Sequence, residues 1–445
     1  MTLHYLLIAF LPISLTVSVL ARAPTLTVIP LSFLVLQLLV EGFRWQLAPL
    51  YALGLMVTVL ALVSVVLPSP VMVLGVVMCF LLAASAFLLS YAFPNFRMPE
   101  PTGPYAVGAT ERSFRDERGT LTAKVWYPAG STEGDTPQPY LLGLKRSIMG
   151  LPPFIYSHLK GRPTRAFKNA RLSTAKDAYP VIVYSHGGDG FVEDNSFLLA
   201  ELASHGFIAF AVEHPKPLHA YGFDPQVLAR DPEGLLAFMV NRVMPERVRD
   251  VNSVVAALDG LNQRDDLFRG RLELSKLGLL GYSLGGSVMT EVCAVQQTCR
   301  AVVNLDGNGF AAARTLGSRG PYLHLSQSVL LELADKAGDA APVSQMAALY
   351  LGEVSDVIKH TRANGYRAVW LQLRGSGHAA FTDMIFWTPL RRGPLHAVLG
   401  GGDAAKLHAT ACELTRTFFE DAWNKTDAFE EARVLHRPLI SDLSL

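Results

Sequence analysis

A serine set between glycines is the residue of this sequence with the clearest capacity for chemistry. The segment Leu277–Val288 reads LGLLGYSLGGSV, and Gly281, Ser283 and Gly285 within it fit the pattern G-x-S-x-G. An apolar run precedes the pattern and a helix-compatible run follows it, which is the strand–turn–helix setting that exposes a nucleophilic serine hydroxyl. The alternative is a glycine-rich turn with an incidental serine, so the assignment of Ser283 depends on partners elsewhere in the chain.

A nucleophilic serine needs a general base and an acid that orients the base. In this layout the partners follow in the order serine, acid, histidine, each just beyond the C-terminal end of a strand. Asp306 directly follows one apolar run, and His378 comes shortly after another. We predict that His378 accepts the proton of Ser283, while Asp306 fixes the imidazole and stabilises its cation. Asp383 is an alternative acid, but it follows the histidine and suits a helix N-terminus better.

The same chemistry needs two N–H groups directed at the developing oxyanion. The sequence SHGGDG at 185–190 is close to the HGGG-type loop that supplies one donor, and the residue after the nucleophile supplies the other. We therefore predict an oxyanion hole formed by the backbone N–H groups of Gly188 and Leu284. His186 then braces the loop by hydrogen bonding. For His205, His214 and His324, which precede or lie within strands or helices, we predict structural roles.

These residues must be positioned by a sheet. Pro180–Tyr184 is a continuous apolar run, typical of a central parallel strand buried on both faces. Further apolar runs alternate with helical patterns up to about residue 423, which predicts a doubly wound, mostly parallel sheet with helices on both faces, the α/β-hydrolase fold. We assign residues 95–445 to this domain, with insertions at about 128–178, 214–243 and 384–403.

The first 94 residues have a different composition. They contain three charged side chains, Arg22, Glu41 and Arg44, and four apolar runs, Leu3–Leu20, Thr25–Val40, Leu47–Leu67 and Val71–Phe93. Because a span needs about 20 apolar residues, we predict four transmembrane helices in residues 1–94 and a multi-pass integral membrane protein. Three spans are the alternative, since Ala21-Arg22-Ala23 resembles a signal-peptidase site. The absence of Lys or Arg before it argues against cleavage.

The side of the membrane that carries the hydrolase domain is left open by the sequence. Arg44 and Arg97 against Arg22 give a weak case for the cytoplasm under the positive-inside rule. Cys293 and Cys299 are spaced so that a disulfide is possible, which would indicate an oxidising compartment, but two free thiols are an equal alternative.

Charge elsewhere in the chain is balanced. Without the three charged residues of the first 94, the totals of 39 basic and 38 acidic residues become 37 of each, so the rest of the chain is formally neutral and gives no reason to expect nucleic acid as a partner. The segment 139–177 is locally basic, with eight Lys or Arg and one acidic residue, so it either lies on anionic headgroups or is a solvated loop. An apolar segment with two arginines, 384–392, follows His378, and Trp387 within it either faces the bilayer or caps a buried pocket.

Six blocks of this sequence together resemble the plasma-type platelet-activating-factor acetylhydrolases. They are residues 179–187, 202–208, 211–214, 281–286, 304–307 and 377–383. The resemblance spans about residues 105 to 425 and implies a calcium-independent serine hydrolase that removes short or oxidised acyl chains from phospholipids at a lipid interface. It implies Ser283, Asp306 and His378 as triad, and Gly188 with Leu284 as oxyanion hole. Gly188 departs from the family pattern, which has a bulkier apolar residue there.

We therefore predict a membrane-anchored serine ester hydrolase that acts on a small-molecule or lipid ester. The alternative is an idle hydrolase fold that serves the membrane spans as a sensing or scaffolding domain. No metal or organic cofactor is expected, because the nucleophile is an activated hydroxyl and no cluster has zinc-ligand spacing. The acyl chain, the leaving group and the oligomeric state are not specified by the sequence.

Overall fold

The helices and strands divide between two units of the chain. The computed structural model describes residues 3–21, 28–63, 69–142, 152–222, 232–339 and 341–444. The first unit comprises Met1–Phe96 together with Lys145–Lys160 and Trp387–Leu390. The second unit consists of Arg97–Leu144, Gly161–Phe386 and Arg391–Leu445.

Four helices of the first unit lie where the apolar runs predict them: α1 (Leu3–Ala21), α2 (Val28–Glu41), α3 (Ala48–Val63) and α4 (Ser69–Ala92). At 1.5 Å per residue, the 14 residues of α2 and the 16 of α3 are shorter than a hydrocarbon core of about 30 Å. Among the described residues, only α4, with 24 residues, is long and apolar enough to cross a membrane. The prediction of four spans is therefore not supported. Arg22, used in the orientation argument, lies outside the described residues.

The N-terminal helices have an apolar outer surface as well as an apolar core. Leu11, Leu50 and Leu53 are buried between the helices. Leu39 and Leu62, in contrast, have more than three quarters of their surface exposed. Apolar surface of this extent is unfavourable in water, so the outer face of this unit is suited to an apolar environment.

Two short segments from distant parts of the chain complete the first unit. The Trp45 indole N–H donates to the Ile155 carbonyl at 3.0 Å, and its ring meets that of Phe154 edge-on at 5.5 Å. Tyr156 packs against Trp387, with ring centroids 5.7 Å apart. Trp387 is only 7% exposed, whereas Phe154 is 53% exposed. The structure therefore favours a buried role for Trp387 over the bilayer-facing one.

The second unit is built on a large, mostly parallel sheet. Its eleven described strands are β1 (Ala106–Asp116), β2 (Gly119–Ala129), β3 (Pro137–Pro139), β4 (Pro163–Lys168), β5 (Tyr179–Ser185), β6 (Ile208–Glu213), β7 (Leu272–Tyr282), β8 (Ala301–Leu305), β9 (Tyr322–Gln327), β10 (Ala368–Leu373) and β11 (Ile440–Asp442). Their order is β11-β10-β9-β8-β7-β5-β6-β2-β1-β4-β3. The pairs from β10 to β6 are parallel, while β2 joins β6 and β1 in antiparallel pairs.

Helices cover both faces of this sheet. They are α5 (Ser196–Ser204), α6 (Pro232–Phe238), α7 (Met244–Arg264), α8 (Leu284–Val295), α9 (Ala311–Leu316), α10 (Val329–Ala337), α11 (Pro342–Ala363), α12 (Pro394–Leu399), α13 (Ala404–Asn424) and α14 (Ala428–Leu435). Side chains alternate across a strand, so Val181 and Val183 of β5 enter one apolar core while Ile182 and Tyr184 enter the other. Burial on both faces explains the continuous apolar run of that strand.

The basic segment 139–177 is partly built into the sheet. Strand β4 pairs in parallel with β1, and β3 continues the edge beyond it. Arg165 of β4 forms an ion pair with Glu100. Lys145, Arg146 and Ile148 of the basic segment lie outside the described residues, as does residue 340.

Of the two alternatives for Cys293 and Cys299, a disulfide or two free thiols, the structure has the disulfide. Helix α8 ends at Val295, and the chain turns so that Cys293 and Cys299 form a disulfide with Cα atoms 5.3 Å apart. Both cysteines are buried, and Cys79 and Cys412 are free thiols.

Candidate active site

Ser283 lies on the sharp turn between the end of β7 and the start of α8. Its backbone adopts φ 54° and ψ −126°, a strained conformation for a residue with a side chain. A Cβ on Gly281 would collide with the backbone of Gly285, and one on Gly285 would collide with the Ser185 carbonyl. The glycines are therefore required by close packing of strand, helix and neighbouring loop, as the G-x-S-x-G pattern predicts.

The structure brings the three predicted triad residues together from three separate turns. His378 Nε2 lies 2.8 Å from Ser283 Oγ, and His378 Nδ1 lies 2.6 Å from Asp306 Oδ2. Asp306 is buried and follows β8 directly, whereas the His378 side chain, at the start of a 3₁₀ turn, is one-third exposed. The arrangement can pass a proton from Ser283 Oγ to His378 while the carboxylate holds the ring.

The second oxygen of Asp306 is held as firmly as the first. Asp306 Oδ1 accepts hydrogen bonds from the Gln327 N–H at 2.9 Å and from the Tyr350 hydroxyl at 3.0 Å. With both oxygens engaged, the carboxylate cannot rotate away from His378. Tyr350 lies on α11, 44 residues beyond Asp306, and no sequence pattern indicates its role.

Tyr350 is itself part of a buried chain of hydrogen bonds. His324 Nε2 lies 2.7 Å from the Tyr350 hydroxyl, and His324 Nδ1 lies 2.9 Å from the Tyr322 hydroxyl. Burial lowers the pKa of His324 to about 4, so its ring is neutral near pH 7. Because Tyr350 donates to Asp306, it accepts from His324, which places the imidazole proton on Nε2. The structural role predicted for His324 is thus a support for the acid.

The predicted oxyanion donors lie next to the nucleophile. A Cβ on Gly187 would lie 3.5 Å from that of Ser283, so the loop 185–190 borders the serine. Within the part of the chain that the structure describes, the backbone N–H groups of Gly188 and Leu284 donate no hydrogen bond to another protein atom. A Cβ on Gly188 would lie 2.8 Å from Leu218, so Leu218 fills the space that the family's bulkier side chain would use.

The alternative acid, Asp383, has a different position. Its carboxylate accepts from the backbone N–H groups of Ser196 and Phe197, both at 3.1 Å, at the start of α5. The hydroxyls of Ser196 and Tyr140 donate to it as well. Asp383 therefore caps a helix, in agreement with the position that its sequence context favoured, whereas His378 Nδ1 is bonded to Asp306.

His205, His214 and His186 have hydrogen-bond partners other than Ser283. His205, directly after the end of α5, lies 3.1 Å from Glu201 of that helix, and His214 contacts Ser185 and Asp250. His186 Nδ1 lies 2.8 Å from the Gly187 carbonyl within the oxyanion loop. In the described parts of the chain, no three His, Cys, Asp or Glu side chains are grouped so that they could hold a metal ion.

Comparison with known proteins identifies relatives. Residues 91–220 match the family model described as platelet-activating factor acetylhydrolase, isoform II. The platelet-activating factor acetylhydrolase of Cavia porcellus is 25% identical over 268 residues, covering 53% of this chain and 61% of that protein. The Bos taurus protein of the same name is 23% identical over 346 residues, covering 69% of this chain and 73% of its own. This chain thus spans about three fifths of the length of the first relative.

A solved structure shares the fold. The ferulic acid esterase from Streptomyces cinnamoneus superposes with a TM-score of 0.54 at 20% identity, covering 78% of this chain and 98% of that one. At this identity the likeness concerns the fold, and it agrees with an α/β-hydrolase-like arrangement of the second unit. The family-model match and the named relatives show that this chain is similar to the platelet-activating factor acetylhydrolases.

Proposed function

We propose that this protein is a membrane-associated serine hydrolase that cleaves carboxylic esters through an acyl-enzyme. The observation that carries the proposal is the pair of short distances from Ser283 Oγ to His378 Nε2 and from His378 Nδ1 to Asp306 Oδ2, 2.8 and 2.6 Å. A nucleophile, a base and an orienting acid in contact within one fold match the geometry that acyl transfer requires. The strained turn at Ser283 adds to it, because strain of this kind needs a functional reason.

The reaction proceeds in two displacements. Ser283 Oγ bonds to the ester carbonyl carbon as its proton passes to His378 Nε2, and the carbonyl electron pair moves onto the oxygen. The oxyanion accepts hydrogen bonds from the Gly188 and Leu284 N–H groups. When the intermediate collapses, the carbon–oxygen ester bond breaks and His378 protonates the leaving alcohol. A water then gives a proton to His378 and attacks the acyl carbon. When this second intermediate collapses, the bond between the acyl carbon and Ser283 Oγ breaks, His378 returns the proton to Oγ, and the carboxylic acid leaves.

The substrate class follows from the family and from the first unit. The relatives' names specify an acetylhydrolase that acts on platelet-activating factor. By that relation we assign short or oxidised acyl chains of phospholipid-like esters as substrates. Helix α4 and the exposed apolar side chains of the N-terminal helices support association with a bilayer, where such esters reside. We assign residues 1–94 to this attachment and 95–445, with the three insertions, to hydrolysis.

The test of catalysis is labelling by a fluorophosphonate, which modifies activated serines. Wild-type protein should be labelled and Ser283→Ala should not, while both show the same thermal unfolding. Hydrolysis of nitrophenyl esters of increasing acyl length, and of short-chain or oxidised phospholipids, then defines the substrate. If well-folded wild-type protein is neither labelled nor active on any of them, the sensing or scaffolding alternative takes the place of this proposal.

A further inference from the structure

The loop that carries the predicted Gly188 donor rests on a buried arginine. Arg247, in the first turn of α7, is 1% exposed. Its Nη1 donates to the carbonyls of His186 and Gly187 at 3.1 and 2.9 Å, and its Nη2 donates to the carbonyl of Gly188 at 2.6 Å. One guanidinium therefore holds three consecutive carbonyls of the oxyanion loop.

These hydrogen bonds decide where the N–H groups of the loop point. In a planar trans peptide the C=O and the following N–H are antiparallel, and no cis peptide occurs among the described residues. The Gly187 carbonyl and the Gly188 N–H belong to one peptide, so fixing the carbonyl on Arg247 directs the Gly188 N–H to the opposite side. The peptide between His186 and Gly187 has the same arrangement. Its carbonyl accepts from Arg247, and its N–H, that of Gly187, points to Asp194 Oδ2, 3.4 Å away.

Helix α7 supports the loop at a second point. Ser185 Oγ, at the end of β5, lies 2.8 Å from His214 Nε2, and His214 Nδ1 lies 2.9 Å from Asp250 Oδ2. Asp250 lies three residues after Arg247 on the same helix and forms an ion pair with Arg118 at 2.8 Å. A π-helical turn, Met239–Val243, precedes α7 and shifts the phase of its side chains relative to a continuous α-helix. Both supports thus come from the beginning of one helix.

We propose that Arg247 is a positioning residue for the oxyanion hole, acting through the backbone of the loop 185–190: it holds the peptide between Gly187 and Gly188 so that the Gly188 N–H faces the reacting carbonyl. This inference rests on the proposed ester hydrolysis. Lysine is not equivalent, because one ammonium on a flexible stem cannot reproduce the fixed fork of guanidinium donors. Without Arg247 the Gly187 carbonyl keeps its contacts with His186 Nδ1 at 2.8 Å and the Gly190 N–H at 3.2 Å. It loses the charged donor that also holds the two neighbouring carbonyls, so the peptide is held less firmly and the Gly188 N–H is less well directed at the oxyanion.

The test compares an ester with its thionoester, in which sulfur replaces the carbonyl oxygen. Sulfur is a weak hydrogen-bond acceptor, so thionoester turnover depends less on the oxyanion donors. In Arg247→Lys and Arg247→Gln we expect kcat for the ester to fall by at least about 5-fold and at most about 10²-fold, the upper figure being the effect of losing one oxyanion donor completely. KM should change much less, and thionoester turnover should fall less than ester turnover, so the ester-to-thionoester ratio drops.

The matched control is Arg112→Gln, which breaks another partly buried arginine contact of the same unit, its pair with Asp265 at 2.6 Å. It should lower stability and leave the ratio unchanged. Rates are divided by the amount of protein that a fluorophosphonate titrates. Equal losses on both substrates, an unchanged ratio, or failure of both Arg247 variants to give titratable protein would reject the positioning role. If wild-type protein itself is inactive and unlabelled, the proposed function fails instead.

Discussion

Asp306 is the most constrained residue of the site. It is buried, both of its carboxylate oxygens are hydrogen-bonded, and its backbone adopts φ 58°. Positive φ is uncommon outside glycine, although aspartate tolerates it better than most residues. Two of the three residues of the proposed triad, Ser283 and Asp306, thus have strained backbone conformations. Strain of this size, about 1–3 kcal/mol per residue, persists only where the surrounding structure imposes it.

Replacing Asp306 by Asn tests the assignment of the acid. The amide fits the same space, but it can donate to His378 Nδ1 and so stabilises the wrong tautomer. We expect Asp306→Asn to fold and kcat to fall by about 10⁴-fold. Steady-state hydrolysis of a soluble ester, with thermal unfolding in parallel, gives both quantities. A rate near that of the wild type would show that another residue is the acid.

Removing the Tyr350 hydroxyl tests the support behind the acid. Tyr350→Phe deletes the donor to Asp306 Oδ1 and leaves His324 Nε2 without its acceptor. A net loss of about 1 kcal/mol is typical of one hydrogen bond, which corresponds to a fall of about 5- to 10-fold in kcat with little change in KM. Tyr366→Phe, at an exposed tyrosine, is the matched control. Unchanged kcat in Tyr350→Phe would mean that the Gln327 N–H alone holds the carboxylate.

The three triad candidates could be predicted from the sequence, whereas the residues that hold them and the oxyanion loop in place could not. Ser283, Asp306 and His378 each follow an apolar run, and a run of that kind shows where a strand ends. Tyr350 and Arg247 instead lie within amphipathic helices, where a polar residue is ordinarily a surface residue. Their contacts with Asp306 and the oxyanion loop depend on tertiary packing, which periodicity in one sequence does not report.

At the scale of elements, the site depends on helix termini. Helix α8 begins at the residue after the proposed nucleophile, Ser283. The N–H of its first residue, Leu284, is one of the four at a helix start that have no carbonyl acceptor within the helix. At the start of α5 the corresponding N–H groups do have an acceptor, because the side chain of Asp383, far away in sequence, accepts hydrogen bonds from them. The proximity of Asp383 to His378 in sequence therefore reflects an architectural link between the histidine loop and α5.

Substitution of Asp383 separates this architectural role from catalysis. Asp383→Ala removes a helix cap, worth about 0.5–2 kcal/mol, and leaves the buried Ser196 and Tyr140 hydroxyls without their acceptor. We expect a clear fall in the free energy of unfolding, measured by urea denaturation. Asp383→Asn, which keeps an acceptor oxygen, should lose less. Activity per titrated site should stay within a few-fold of wild type in both; a collapse of kcat in folded Asp383→Asn would contradict the capping role.

The sequence predicted the strands that are buried on both faces, but it did not predict the lengths of the N-terminal helices. The runs that form β5, β7 and β8 predicted strands because both of their faces are covered. The N-terminal runs predicted helices in the right places but overestimated the spans, since apolar composition does not show where a helix ends. The pairing of β4 with β1 could not be anticipated, because the basic segment 139–177 has no alternating pattern.

At the scale of the whole molecule, stability should depend on pH through a buried carboxyl. Glu353 of α11 is buried and accepts from the Asn308 side chain at 2.6 Å. Burial raises the pKa of Glu353 from 4.5 to about 7. Between these values the folded state holds a proton that the unfolded state has released, so stability falls as pH rises through this window and is level above it.

The variant Glu353→Gln isolates this effect, because glutamine does not titrate. The difference in thermal midpoint, variant minus wild type, should increase by several degrees between pH 5 and pH 8. Each unit of pKa shift corresponds to about 1.4 kcal/mol of stability that the wild type loses over this range and the variant does not. Glu332→Gln, at an exposed position of α10, should show no such trend. If the thermal midpoints of Glu353→Gln and wild type changed in parallel with pH across this range, the raised pKa of Glu353 would be contradicted.

The disulfide between Cys293 and Cys299 indicates the kind of compartment in which the second unit lies. Disulfides persist in oxidising compartments and are rare where glutathione and thioredoxin keep thiols reduced. The count of Arg44 and Arg97 against Arg22 pointed to the cytoplasm, but it assumed an even number of spans, and among the described residues only α4 is long and apolar enough to be one. We therefore predict that the unit that contains Cys293 and Cys299 lies in an oxidising compartment.

Differential alkylation of membranes from intact cells measures this. Thiols are blocked with a maleimide under denaturing conditions, the sample is reduced, and a second maleimide of different mass is added. Cys293 and Cys299 should carry only the second label, whereas Cys412, a free thiol, should carry only the first and serves as an internal control. Protease added to intact cells should cut the second unit. First-label modification of Cys293 and Cys299, together with protection from the protease, would place the unit in a reducing compartment, because a disulfide between these residues would have blocked that label.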